Sequence, residues 1–86
     1  MDLGTPCSYL QLVAGCAVYS ADEQELGKVD EVRAAPDLDI FDGFMVAGGP
    51  SGRRFVDAEH VQEIFERGVL LKLTAAEAGS LPATAD

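Results

Sequence analysis

The sequence has little of what most active sites require. Its 86 residues include no tryptophan, one histidine, two cysteines and six lysines or arginines, against fifteen aspartates and glutamates. No apolar run approaches the roughly 20 residues that span a bilayer. The N-terminus lacks the basic start and apolar core of a secretory signal. We therefore expect one small cytoplasmic domain with no membrane association.

The charge balance bears on the choice of partner. The formal net charge is −9, and 48% of the residues are hydrophobic, which is a globular composition. A chain this acidic is repelled by nucleic-acid phosphates and by anionic lipid surfaces. The sequence therefore predicts no binding of nucleic acid, whereas a basic protein partner would be attracted.

The two cysteines do not form a recognisable motif. Cys7 and Cys16 are nine positions apart, with no CxxC pair and no neighbouring histidine or group of cations. This spacing is typical of neither a zinc site nor a thioredoxin-like redox site. In a chain without an export signal we expect two reduced, partly buried thiols, with a disulfide as the alternative.

Short apolar segments separated by glycine-rich turns favour a β-structure. Residues 69–73 (VLLKL) are the clearest strand, and residues 48–52 (GGPSG) are an emphatic turn. Helical turns are predicted near both termini, at residues 8–15 and from Thr74 onwards, where Thr74 and Glu77 have capping-box spacing. The sequence thus predicts a mainly β fold, a small barrel of about six strands.

Residues 20–32 (SADEQELGKVDEV) fit two structures. As a helix, Ser20 could cap and Glu23 could complete a capping box, with apolar residues recurring every third position. As a hairpin, a polar turn precedes Gly27 and a strand built on Val29 and Val32. Gly27 costs a helix up to about 1 kcal/mol, which does not decide between the two.

The order of the segments resembles that of a PRC-barrel domain, the family named after the H subunit of the photosynthetic reaction centre. The resemblance covers residues 8–81, with residues 1–7 and 82–86 as flexible tails. It rests on the succession of LVAGCAVY, ELGKVDEV, FMV, RRFV, VQEI and VLL, at residues 12–19, 25–32, 44–46, 53–56, 61–64 and 69–71.

This resemblance implies a β-barrel of about six strands without catalytic residues or cofactors. Family members are assembly or adaptor modules that bind proteins. Many of them carry a proline after the strand that corresponds to RRFV, where this chain has Asp57, Ala58, Glu59 and His60. The family pattern also begins its second strand at Gly27, so we predict a turn over residues 20–25 and a strand over residues 26–34.

That strand assignment carries a condition. Strict alternation would put Val29 and Val32 on opposite faces of the sheet. The hairpin therefore predicts either a β-bulge near Asp30 and Glu31 or burial of both faces.

The apolar residues exceed what a small barrel can enclose. A first set is predicted to fill the interior: Tyr19, Val29, Val32, Phe44, Val46, Phe55, Val56, Ile64, Leu71 and Leu73. A second set is predicted to form a partner surface or a homodimer interface: Ile40, Phe41, Met45, Phe65 and Leu70. The competing interpretation is that the terminal turns, residues 9–12 and 76–81, cover this second set.

An alternative function uses the acidic loop from Asp37 to Asp42. Its carboxylates precede Gly43, but their spacing does not match the hand-type calcium loop. Asp57 and His60 could add ligands for a metal or another small ligand. No nucleophile is tied to His60 by a recognisable motif, so we expect a non-enzymatic protein-binding module, with a small-ligand- or metal-binding protein as the alternative.

Overall fold

The computed structural model describes residues 3–48 and 52–81. Within them the chain is mainly β, as predicted, with short helical turns near both ends. The strands are β1 (Ala17–Tyr19), β2 (Glu25–Ala35), β3 (Ile40–Ala47), β4 (Arg54–Asp57), β5 (Val61–Phe65) and β6 (Gly68–Leu71). Three 3₁₀ turns, Tyr9–Gln11, Pro36–Leu38 and Ala58–His60, and the helix α1 (Ala75–Ala78) complete it.

All six strands belong to one sheet in the order β4-β3-β2-β1-β6-β5. Neighbouring strands are antiparallel except for β1 and β6, which are parallel. Val56 of β4 and Ile64 of β5 lie at opposite ends of this order, yet both belong to the same buried cluster. The sheet therefore curls around one core, but among the described residues no pairing joins β4 to β5 and closes it into a barrel.

Of the two alternatives predicted for β2, a β-bulge or burial of both faces, the structure shows the β-bulge. Val29 pairs with Val46 and Val32 pairs with Phe44, although the register shifts between Val29 and Glu31. Since Val46 and Phe44 are two positions apart, they share a face of β3. The bulge at Asp30 thus brings Val29 and Val32 to the same side of the sheet.

The turn before β2 is organised by a buried serine. Ser20 is fully buried, and its Oγ accepts a hydrogen bond from the backbone N–H of Gln24 at 3.0 Å. Its own N–H donates to the carbonyl of Gln24 at 2.9 Å, and Glu23 adopts a φ of 64°. These contacts form a hairpin turn in place of the helical alternative, and β2 begins at Glu25, one residue before the predicted start.

The core contains residues that the sequence did not mark for it. Of the predicted interior set, Val29, Phe44, Val46, Val56, Ile64 and Leu71 are in the buried cluster. Val18 and Val69, paired across β1 and β6, are fully buried and join it, as does Leu12 from the first turn.

Residues assigned by sequence to an N-terminal tail pair with the β5–β6 hairpin. The Cys7 N–H donates to the Ile64 carbonyl at 2.8 Å, and the Arg67 N–H donates to the Leu3 carbonyl at 2.9 Å. Leu3 is itself buried. The folded part of the chain therefore begins before residue 8. The predicted C-terminal tail, residues 82–86, and the centre of the predicted turn, residues 49–51, lie outside the described residues.

Candidate functional site

The first 3₁₀ turn packs against the start of β3 through two aromatic rings. The rings of Tyr9 and Phe41 stack with centroids 5.0 Å apart and planes 10° from parallel. The Tyr9 hydroxyl donates a hydrogen bond to Oδ1 of Asp39 at 3.1 Å. Because these contacts join residues about 30 positions apart, they fix the N-terminal turn beside the connection between β2 and β3.

Local sequence explains why the turn forms there. Oγ of Ser8 accepts a hydrogen bond from the N–H of Leu10 at 3.0 Å, which caps the turn. Leu12 then anchors the segment in the core. Gly15, with a φ of 99°, reverses the chain and donates its N–H to the Val29 carbonyl at 2.8 Å. Both ends of the segment are therefore tied to the sheet.

Large exposed apolar side chains are concentrated on the two segments that this stack joins. Among the described residues they are Leu10, Val13, Leu38 and Ile40, which are between 43% and 67% exposed. Two belong to the segment that contains Tyr9, and two to the segment that contains Phe41. We call these four residues, together with Tyr9 and Phe41, the Tyr9–Phe41 patch.

Carboxylates accompany the patch. Asp37, Asp39 and Asp42 are exposed, and none of them takes part in an ion pair among the described residues. Partial burial raises the pKa of Tyr9 above its ordinary value, and the hydrogen bond to Asp39 raises it further because that carboxylate favours the neutral phenol. The patch therefore combines apolar area with uncompensated negative charge.

The predicted partner residues are divided between separate places. Ile40 is exposed and Phe41 is half-buried, both in the Tyr9–Phe41 patch. Phe65 and Leu70 are half-buried and line a hollow of about 210 Å³ with Leu3, Ala21 and Glu23. The sequence therefore identified residues of two apolar regions, but it predicted that they form a single surface.

Met45 requires a correction, because it is buried, with only 2% of its surface exposed. Its neighbours in register are Glu31 on β2 and Phe55 on β4, and Arg53 forms ion pairs with Asp30 and Glu31 at 2.8 and 3.6 Å. These side chains reach across the outer face of the sheet over β3. Met45 is thus unavailable to a partner.

The residues of the alternative metal site have separate local roles. Asp39 accepts a hydrogen bond from Tyr9, and Oδ1 of Asp57 accepts the Glu59 N–H at 3.1 Å, which caps the 3₁₀ turn Ala58–His60. Nε2 of His60 lies 3.7 Å from Oε1 of Glu59. Within residues 3–48 and 52–81, no three His, Cys, Asp or Glu side chains are grouped as metal ligands.

Sequence reasoning missed a groove beside the C-terminal helix. It has a volume of about 230 Å³, and its walls include Leu26, Val46, Val56, Ala78 and Leu81. The Arg54 guanidinium donates to the Leu81 carbonyl across it. The capping-box spacing of Thr74 and Glu77 predicted the helix, and both capping hydrogen bonds are present, but the sequence held no signal for what the helix packs against.

Asp22 ties that helix to the hairpin turn. One carboxylate oxygen, Oδ1, accepts from the Ser20 hydroxyl and from the Ala75 N–H, the latter at 3.0 Å. The hydrogen bond from Ser20, above all, lowers the pKa of Asp22 below its ordinary value, with partial burial opposing and the bond from Ala75 contributing.

Both cysteines, Cys7 and Cys16, are free, half-buried thiols.

Comparisons with known proteins do not classify the chain, since no family model and no curated protein matches it. None of the helices among the described residues has the length and apolar character needed to cross a membrane.

Proposed function

We propose that this chain is a non-enzymatic protein-binding module of the PRC-barrel type. Its partner is a basic protein segment that carries apolar side chains, and it binds at the Tyr9–Phe41 patch. One observation supports this above all: the exposed large apolar side chains of the described chain gather on two adjoining segments, and one of these, residues 37–42, also bears three exposed carboxylates without an ion pair among the described residues.

The fold supports the family assignment in its general form. Six short strands curl around one core, with helical turns near both ends. The 3₁₀ turn Ala58–His60, capped by Asp57, makes the bend where many PRC-barrel domains have proline. In this chain a capped 3₁₀ turn, and not a proline, therefore reverses the chain direction after β4.

The chemistry of the patch defines the partner. Fully burying a leucine or isoleucine side chain stabilises a contact by about 1.5–3 kcal/mol, so the exposed apolar residues would supply most of the affinity. Exposed carboxylates contribute less to affinity but accelerate the encounter with a positively charged partner. Binding should therefore weaken moderately with salt and strongly when the apolar side chains are removed.

The test is a quantitative affinity purification from cell extract with matched variants. L10S/L38S removes apolar area, and D37N/D42N removes two charges from the acidic segment. E25Q/E63Q is the control, since it removes the same charge from two exposed residues elsewhere. We expect wild type and the control to recover the same partner in equal amounts. L10S/L38S should recover about tenfold less of it or lower still, and D37N/D42N should recover an intermediate amount.

The recovered partner is then measured against each purified variant by calorimetry. Recovery of the same proteins by every folded variant would refute the patch as the binding site. Recovery of no protein by the wild type would remove the support for the function itself.

A further inference from the structure

The groove between α1 and the sheet is large enough for a small organic molecule. One wall contains Leu26, Val46 and Val56, from three adjacent strands, and the other contains Ala78 and Leu81. Its volume of about 230 Å³ exceeds that of an engineered apolar cavity of about 150 Å³ that stays dry and binds benzene. Protein interiors contain few voids larger than a water molecule, so this one is unusual for a chain of 86 residues.

Both walls of the groove are held in place. The sheet wall includes members of the buried core cluster. The N-terminal end of α1 is tied to the hairpin turn, because the Ala75 N–H donates to Oδ1 of Asp22 at 3.0 Å. Beyond the other end of α1, the Leu81 carbonyl accepts a hydrogen bond from Arg54. The groove is therefore preformed, and a ligand can bind there with little rearrangement of the chain.

The charged residues at the groove disfavour a charged ligand. Glu25, which is exposed, would repel an anion, as would the net charge of −9. Arg54 would repel a cation, and its guanidinium already donates to the Leu81 carbonyl. Burying an ion in an apolar site without a partner is costly. The walls and the charges together fit an uncharged molecule.

We propose that this groove binds a small uncharged aromatic molecule. Benzene has six carbon atoms, so in proportion to its cavity the groove holds up to about nine non-hydrogen atoms. An aromatic ring suits Arg54, because a ring can stack on a guanidinium without competing for its N–H hydrogen bonds. This inference is independent of the proposed function, since the groove and the Tyr9–Phe41 patch have no residue in common.

A series of one-ring probes tests the class of ligand. Benzyl alcohol, benzoate and benzylamine carry the same ring with no charge, a negative charge and a positive charge at neutral pH. Cyclohexylmethanol replaces the aromatic ring with an aliphatic one. Titrations followed by two-dimensional amide NMR give Kd for each probe. We expect benzyl alcohol to bind with a Kd of about 1 mM or lower and about tenfold or more tightly than either charged probe. It should also bind several-fold more tightly than cyclohexylmethanol.

Matched substitutions on α1 test the location. Ala78→Leu fills the groove with an apolar side chain, whereas Ala76→Leu adds the same side chain at an exposed position of the same helix. We expect A78L to weaken the binding of benzyl alcohol by about tenfold or more and A76L to leave it unchanged. Arg54→Met keeps an unbranched side chain without the guanidinium, and it should remove the preference for benzyl alcohol over cyclohexylmethanol.

The wild-type chain covers the case in which A78L fails to fold. Benzyl alcohol should shift the amide signals of residues that line the groove, such as Leu26 and Ala75, and should leave those of the Tyr9–Phe41 patch in place. Shifts confined to the patch would overturn the proposal, as would equal binding by folded A78L and A76L.

The probe series can also refute the proposed chemistry. Tightest binding of benzoate or benzylamine would show that the groove recognises an ion, and a preference for the aromatic ring that survives in R54M would refute the role of Arg54. No binding of benzyl alcohol at about 10 mM, tenfold above the expected Kd, would overturn the proposal as a whole.

Discussion

At Gly43 the backbone leaves no room for a side chain. A Cβ atom built there would collide with the carbonyl oxygen of Val56 and come within 2.9 Å of the Phe55 ring. Its φ of 144° is also one that other residues rarely adopt. The close approach of β3 and β4 therefore depends on this one residue.

Replacing Gly43 with alanine should lower the free energy of unfolding by roughly 2–4 kcal/mol, because it adds a clash to an unfavourable φ. The matched control is Gly15→Ala, since Gly15 also has a positive φ but a Cβ there meets nothing within 4 Å. We expect that control to lower the free energy of unfolding by only about 1–2 kcal/mol, the cost of a positive φ alone. Urea unfolding measures both, and equal losses would show that the contact with β4 is unimportant.

Asp22 makes stability depend on pH. Its folded pKa lies below the ordinary value of 3.8, so the folded state favours the carboxylate and the unfolded state takes up a proton first. The contribution of Asp22 is therefore present at pH values above its unfolded pKa and is lost as the pH falls through the folded value.

Thermal unfolding from neutral pH to about pH 3 tests this assignment. Asp22→Asn should lower Tm at neutral pH and flatten the acid limb of the Tm profile relative to wild type. Asp37→Asn, which removes an exposed carboxylate of the acidic loop, is the control. An acid limb that is equally steep in wild type and D22N would contradict the role of Asp22.

At the level of elements, the β2 bulge was the most specific structural feature available from sequence. Val29 and Val32 are three positions apart, and a strand can bury both on one face only with an extra residue between them. Helix propensity alone favoured the wrong structure for residues 20–32. The hairpin is held by the buried Ser20 and by β1 and β3 on either side, and these contacts are invisible in a local window.

Deleting Asp30 should leave the fold intact. Without it, Val29 and Val32 become two positions apart and keep their partners Val46 and Phe44 in a regular ladder. The deletion removes the bulge and the ion pair between Asp30 and Arg53. We expect the free energy of unfolding to fall by roughly 0.5–3 kcal/mol. Circular dichroism and cooperative urea unfolding would report this.

Deleting Lys28 instead is the control. It shifts the preceding residues of β2 by one position against β1, where Lys28 pairs with Ala17 and Gly27 with Val18. A one-residue slip exchanges the faces of the strand, so this chain should lose cooperative unfolding. If both deletions behaved alike, the assignment of the bulge to Asp30 would be wrong.

For the whole molecule, the sequence predicted the kind of fold but few of the contacts between distant segments. Apolar alternation identified most of the core strands, yet it missed Leu3, because a single leucine in a polar N-terminus gives no periodic signal. It assigned Met45 to a partner surface as surplus to a small core, whereas ion-paired side chains of the neighbouring strands bury it on the outer face of the sheet. The stack of Tyr9 on Phe41 depends on the curl of the sheet, which a list of strands does not contain.

The parallel pairing of β1 with β6 has a consequence for synthesis and folding. It joins residues about fifty positions apart, whereas the other strand pairs link neighbours in the chain. Contacts of such separation require closure of a long loop and form slowly. During synthesis, the side of β1 that pairs with β6 therefore stays without a partner strand until β6 has left the ribosome. In this interval the nascent chain has an unpaired strand edge and is most prone to aggregate.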